Sequence, residues 1–228
     1  MKGFIYYVEG HEESYIQAKE SLQSFENHKW DVNLRCGITK HTVKSHPEYN
    51  RSIIEGSRLH DFKRENVNKY YTKISCALNH VSFWKEVVAA DKPMCFLEHD
   101  SICTMNIEEY DFDEYLILNA EWVFKPPNKL GLIQYKDYTW PSFGINDLPK
   151  NYPLKYHKEN KWKGSMMAPG TGAYCVSPKG AKKLLSAIDK HGFDQSDFMI
   201  NSKNVRMQYI VPSPVKFNTV NLSTSYGI

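Results

Sequence analysis

Glu98 and Asp100 stand one residue apart at the end of a short apolar run, Met94-Cys95-Phe96-Leu97. A run of this length reads as a buried strand of an α/β protein. Strand side chains alternate faces, so the spacing predicts Glu98 and Asp100 on one face and His99 on the other. Open α/β sheets bind ligands outside the carboxyl ends of their strands. Hard carboxylate oxygens delivered there suit magnesium or manganese, shared with phosphate oxygens of a substrate. An ordinary polar strand end with a turn-forming Asp has the same pattern, and the spacing alone does not separate the two.

The elements around that strand are legible. From Lys73 to Ala90, apolar Ile74, Ala77, Leu78, Val81, Trp84, Val87 and Val88 recur at intervals of three and four, which predicts an amphipathic helix. Asp91-Lys92-Pro93 breaks it just before the strand, because proline lacks the donor a helix needs. Strands are expected at Phe4 to Val8, Trp30 to Ile38, Leu130 to Tyr135, Gly172 to Val176 and Met207 to Val211. Helices are expected at Glu12 to Phe25, with Tyr15, Ala18, Leu22 and Phe25 as its stripe, at Pro178 to Lys190, and briefly near Gln195 to Asn201. Glu114 to Asn119 fits helix or strand equally. Residues 39–68 and 136–169 lack periodicity and read as loop-rich. Alternation of strands and helices predicts a mostly parallel sheet.

Composition narrows the class. The 228 residues suffice for one domain with a sizeable core, and a formal charge of +3 is too small to argue for nucleic acid or a membrane surface. No apolar run has the length to cross a bilayer, and the opening Met1 to Val8 turns polar too early for a signal peptide. The five cysteines are odd in number and form no C-x-x-C; Cys76, Cys95 and Cys175 sit inside apolar patterns and read as small core residues in a reducing compartment. A cytoplasmic location is the expectation.

Three segments, in order, resemble glycosyltransferase family 25. Cys76-Ala77-Leu78-Asn79-His80-Val81-Ser82-Phe83-Trp84 followed by Leu97-Glu98-His99-Asp100 is similar to the family's "C-A-L-S-H-x-S-x-W" helix and "L-E-D-D" strand. Gly170-Thr171-Gly172-Ala173-Tyr174-Cys175-Val176-Ser177 with Gly180, Ala181, Leu184 and Leu185 is similar to "G-T-x-A-Y-x-I-S-x-x-G-A-x-x-L-L". Phe193-Asp194-Gln195-Ser196-Asp197-Phe198 resembles a "P-x-D-x-F" stretch. Two positions depart: His99 replaces an acid, and Val8-Glu9-Gly10-His11 stands where the family often has "N-L-D-R".

The resemblance implies a single GT-A-like (Rossmann-like) α/β domain with a mostly parallel sheet flanked by helices. Residues 1–105 would form a nucleotide-sugar-binding half and residues 106–228 an acceptor-binding half. It implies transfer of galactose or glucose from a UDP-sugar, helped by Mn2+ or Mg2+. A departing diphosphate needs its growing charge neutralised, as a divalent cation does. Asp100 and Glu98 would hold the metal, with Glu98 acting through water or else on a ribose hydroxyl. Asp197 would take the acceptor proton, with Asp194 as rival and helix capping as the alternative for both. Val8, Lys73, Asn79, His80, Thr171 and Gly172 would line the sugar nucleotide. Asn79 and His80 are adjacent on a helix and cannot share one face, so one would line the site and the other support the loop; a hydrogen-bonded structural His80 is the plainer reading. The acceptor would be a lipooligosaccharide or another glycan, in a lipopolysaccharide-building role.

Other readings remain open. Aromatic Tyr135, Tyr138, Trp140, Phe143, Tyr152, Tyr156 and Trp162, interleaved with Lys136, Lys150, Lys155, Lys158, Lys161 and Lys163, suit sugar stacking, loop packing or an anionic acceptor. A viral enzyme glycosylating a hydroxymethylated DNA base would use such a loop. Collagen hydroxylysine is a known acceptor of the family, weakened here by the lack of secretory features. His99 and the altered "N-L-D-R" also fit a sugar-nucleotide-binding module without turnover. A metal-dependent nuclease would need a lysine just after the acids, where Ser101-Ile102 stands.

Overall fold

The computed structural model describes residues 1–106, 110–119, 142–148 and 171–218. Its elements in chain order are β1 (Lys2–Tyr7), α1 (Glu12–Asn27), β2 (Asp31–Cys36), a 3-10 turn (Val43–Ser45), α2 (Leu59–Glu65), α3 (Val67–Ala90), β3 (Met94–Glu98), β4 (Ser101–Cys103), β5 (Tyr115–Ile117), β6 (Gly144–Asp147), β7 (Ala173–Val176), α4 (Pro178–His191), α5 (Ser196–Met199), β8 (Met207–Val211) and β9 (Val215–Phe217). Seven strands form one sheet in the order β2-β1-β3-β7-β5-β8-β6, and β4 pairs with β9 separately. β2, β1, β3, β5 and β8 run one way; β7 and β6 run against them. This is a mixed α/β, Rossmann-like architecture with a mostly parallel sheet, as expected. The antiparallel β7 in its middle is new, since hydrophobic patterning carries no strand direction.

Two apolar layers sandwich the sheet. On one face α2, α3 and α4 bury Phe62, Leu78, Trp84 and Leu184 against Phe96, Ile117 and Tyr174. On the other, α1 sets Ala18 and Phe25 against Ile5, Leu97 and Cys175. Local chemistry fixes the helix ends. Asn66 caps α3 by accepting Lys69 N at 3.0 Å, and Asp91 closes it in the left-handed region ahead of Pro93. Ser177 caps α4 by accepting Gly180 N, with Pro178 in the first turn. Gly180 is required there, because a Cβ would stand 2.2 Å from Glu114 O.

Several expectations need correction. α3 begins at Val67, six residues before Lys73, because the Asn66 cap rather than the apolar stripe sets its start. In α1 the buried stripe is Ser14, Gln17, Ala18, Ser21 and Phe25; Tyr15 is 40 % exposed. Small polar residues fit there because their hydroxyls find partners: Ser14 Oγ accepts Val8 N, and Ser21 Oγ donates to Ser101 O. The 39–68 segment carries the 3-10 turn and α2, and Glu114 to Asn119 contains strand β5. β6 lies within a stretch expected to be irregular. The strand expected at Leu130 to Tyr135, Gly170, and the aromatic and lysine cluster apart from Phe143 lie outside the described residues.

A ring ladder crosses the α3 face of the sheet. Tyr6 stacks on Phe96 at 4.4 Å, Phe96 on Tyr174 at 5.4 Å, and Tyr174 on Tyr115 at 4.6 Å. Helix α3 docks onto it through one hydroxyl. Trp84 Nε1 donates to Tyr174 OH at 3.0 Å, and Tyr174 OH lies 2.8 Å from His80 Nδ1. Indole only donates, so the Tyr174 oxygen accepts from Trp84 and shares the same hydroxyl with His80, whose ring stacks on Phe96 at 4.1 Å. Replacing Tyr174 with Phe strands a buried indole N–H and imidazole nitrogen. We expect Tyr174→Phe to lose about 1–3 kcal/mol of stability, read from urea unfolding midpoints.

Candidate active site

The C-terminal ends of β1, β3 and β5 open on one edge of the sheet, and a cavity of about 250 Å³ lies against the β1 and β3 ends. Val8, Gly37, Thr39, Asn79, His80 and Glu98 are among its walls. Phe96 and Tyr6 of the ring ladder also face it, so it joins an aromatic surface to a polar rim.

Helix α3 shapes this cavity. Asn79 Oδ1 accepts Ile38 N at 2.7 Å while its Nδ2 donates to Ile38 O at 3.1 Å, clamping the loop after β2. Gly37 leaves room for that clamp, since a Cβ there would stand 3.2 Å from Asn79 Nδ2. Asn79 thus supports the loop and borders the cavity as well. His80 is the structural histidine of the ladder; burial pushes its pKa down to about 3, so it stays neutral.

Beyond Glu98 the edge turns acidic. Burial raises the Glu98 pKa to about 8, and the neighbouring Asp100 and Asp197 carboxylates push it the same way, against Lys73 on α3. Asp100 is raised to about 6, chiefly by burial, and its Oδ1 is buried without a hydrogen bond. Cys76, one turn on from Lys73, is a thiol pushed up to about 12 by burial and then by Glu98, and is inert as a nucleophile. Asp197, in α5, accepts Thr171 Oγ1 at 3.0 Å. Gly172 accepts Glu98 N on its carbonyl at 2.7 Å. A Cβ on Gly172 would stand 2.8 Å from the Phe217 ring and 3.0 Å from Glu98 Oε2, so this close approach needs glycine. Lys73, Glu98, Asp100, Thr171, Gly172 and Asp197 therefore gather at one place, although they come from four separate stretches of chain.

One expectation comes out differently. His99 lines the same cavity as Glu98 instead of turning away, because β3 ends at Glu98 and residues 99–100 form a turn to which alternation does not apply. It is 6 % exposed, and burial, then His11, lower its pKa to about 4, leaving a neutral ring. Asp194 is fully buried, and its Oδ1 accepts Ser57 Oγ at 2.6 Å and Gln195 N at 2.8 Å, tying α5 to the loop before α2.

The residue pattern and the geometry meet in one comparison. A family model described as Glycosyltransferase family 25 (LPS biosynthesis protein) matches residues 22–200. The chain belongs to glycosyltransferase family 25. It is an enzyme of that class, and sugar donor and acceptor are its partners. No curated protein matches the chain closely enough to count as a relative. The match spans Lys73, Asn79, His80, Glu98, Asp100, Thr171, Gly172, Asp194 and Asp197, and leaves Val8 outside it. No described helix is long and apolar enough to cross a membrane.

The acids also fit a divalent cation. Among the described residues no three His, Cys, Asp or Glu side chains group closely enough to hold a metal unaided. Asp100 Oδ1 nonetheless lacks a partner, and the mutual repulsion at Glu98 is what a cation would relieve. Substrate phosphate and water would complete the coordination.

A pH test follows for the metal-free protein. Glu98 binds its proton more tightly folded than unfolded, so its contribution to stability is full below its ordinary pKa of 4.5 and is lost as pH rises towards about 8. We expect chelator-treated protein to lose melting temperature across that window and Glu98→Gln to flatten the loss. An equal slope in both proteins would show that Glu98 is not the group responsible.

Proposed function

We propose that the enzyme transfers a hexose, galactose or glucose, from a UDP-sugar to a hydroxyl of a saccharide acceptor of the lipopolysaccharide kind, assisted by Mn2+ or Mg2+. The observation that carries this reading is the crowding of Glu98, Asp100 and Asp197 beside a cavity walled by Val8, Asn79 and His80. Carboxylates forced together in a buried place suit a substrate that brings a cation and a diphosphate with it.

In this reading the nucleoside lies in the cavity over β1, on the Tyr6 and Phe96 rings and within the loop held by Asn79. Asp100 and Glu98 would hold the cation, which when bound neutralises the charge growing on the departing diphosphate. Lys73 faces the same charge from α3. To hold a cation Glu98 would have to be deprotonated. Asp197 is positioned by Thr171 and takes the proton of the acceptor hydroxyl as it attacks the sugar carbon. Asp194 is the weaker candidate for that base, because its Oδ1 is already committed to Ser57 and Gln195.

A donor-hydrolysis screen over UDP-, GDP- and TDP-sugars, with manganese or EDTA, tests the proposal. We expect slow UDP release from one UDP-hexose, abolished by EDTA and by Asp100→Ala. Asp197→Asn should slow transfer about 100-fold or more while UDP binding stays unchanged. Release that persists in EDTA and in Asp100→Ala would refute the metal role. Undiminished transfer by Asp197→Asn would remove it as the base.

A further inference from the structure

Several buried polar atoms without a hydrogen bond lie at this sheet edge. Among the described residues, His99 and Asp100 carry them just after β3, and Asn119 just after β5. Asn119 is the extreme case: it is 2 % exposed, and both its Oδ1 and its Nδ2 lack a partner. A buried amide left so costs stability, and an apolar side chain would pack there more cheaply. Such a group points to a ligand that completes it.

Its position says which part of the ligand. Leu118 N donates to Ala173 O at 3.1 Å, and Val215 N donates to Leu118 O at 3.4 Å, so the backbone ahead of Asn119 is pinned on both sides. Continued past the paired residues, that register brings Asn119 level with Gly172, just before β7, whose carbonyl in turn accepts Glu98 N. Asn119 thus stands two strand spacings, about 10 Å, beyond Glu98 along the edge. If the nucleoside lies over β1 and the diphosphate at the β3 acids, the next group along the same line is the sugar. This placement rests on the sugar-nucleotide reading above.

We infer that Asn119 is a specificity-determining residue whose carboxamide hydrogen-bonds hydroxyl groups of the transferred sugar. The chemistry matches. A sugar hydroxyl both donates and accepts, and a carboxamide offers two N–H donors beside one carbonyl acceptor. It also adds no charge to an edge already crowded with carboxylates.

The test is calorimetric binding of UDP, UDP-galactose and UDP-glucose, each with manganese, to the wild type, Asn119→Leu and Asn119→Ala. We expect both variants to bind UDP within about twofold of the wild type and to bind the preferred sugar nucleotide about tenfold or more weakly. Asn119→Leu should also keep or raise the melting temperature, because it removes an unsatisfied buried amide. Unchanged sugar-nucleotide affinity would overturn the inference and leave the proposed function standing. Parallel loss of UDP and sugar-nucleotide affinity, or a lowered melting temperature in Asn119→Leu, would make Asn119 a structural residue and overturn it as well. A wild type that binds neither UDP nor either sugar nucleotide would overturn both readings.

Discussion

Helix α3 hydrogen-bonds the sheet through the Tyr174 hydroxyl, which accepts the Trp84 indole N–H and pairs with His80 Nδ1. Everything at the site hangs from that junction. Together with the apolar face of α3, it joins the helix to the ring ladder. Asn79, next to His80, thereby meets the Ile38 backbone, and Lys73, two turns earlier, faces the acids at the end of β3. A neutral His80 is essential to the arrangement, and burial among aromatic rings keeps it neutral. The junction adds no charge to the interior while satisfying three polar side chains.

Against this satisfied interior stands an unsatisfied edge. The same sheet that packs Phe96 and Tyr174 delivers Glu98 and Asp100 into a region dry enough to raise both pKa values. Acids forced together in this way lower stability without a cation, which is the pattern of a site whose substrate supplies what the protein lacks. Gly172 makes the crowding possible, because any side chain there would strike Phe217 and Glu98.

How much of this the residues disclose depends on the kind of information. Lys73 to Ala90, Met94 to Glu98 and Pro178 to Lys190 are long or strongly patterned, and periodicity finds them. Glu98, Asp100 and Asp197 are legible as chemistry through the family's motifs. The reversal of β7 is not, since Ala173 to Val176 is apolar on both faces and reads alike in either direction. β5 is three residues long and wholly buried, too short for a period to declare itself. His99 stands one residue past the strand's end, where alternation no longer holds. Asn119 is only the end of a segment that fits helix or strand equally, and burial without partners is what marks it out.

If the acidic edge holds a cation together with the donor's diphosphate, as proposed, cation binding must displace the Glu98 proton. Manganese would be titrated into the UDP-bound protein at pH 7 in buffers of differing ionisation enthalpy, beside Glu98→Gln. With Glu98 protonated near neutrality in the free protein, the account predicts close to one proton released per manganese bound, and none from Glu98→Gln. Tight manganese binding with no proton release from the wild type would contradict it.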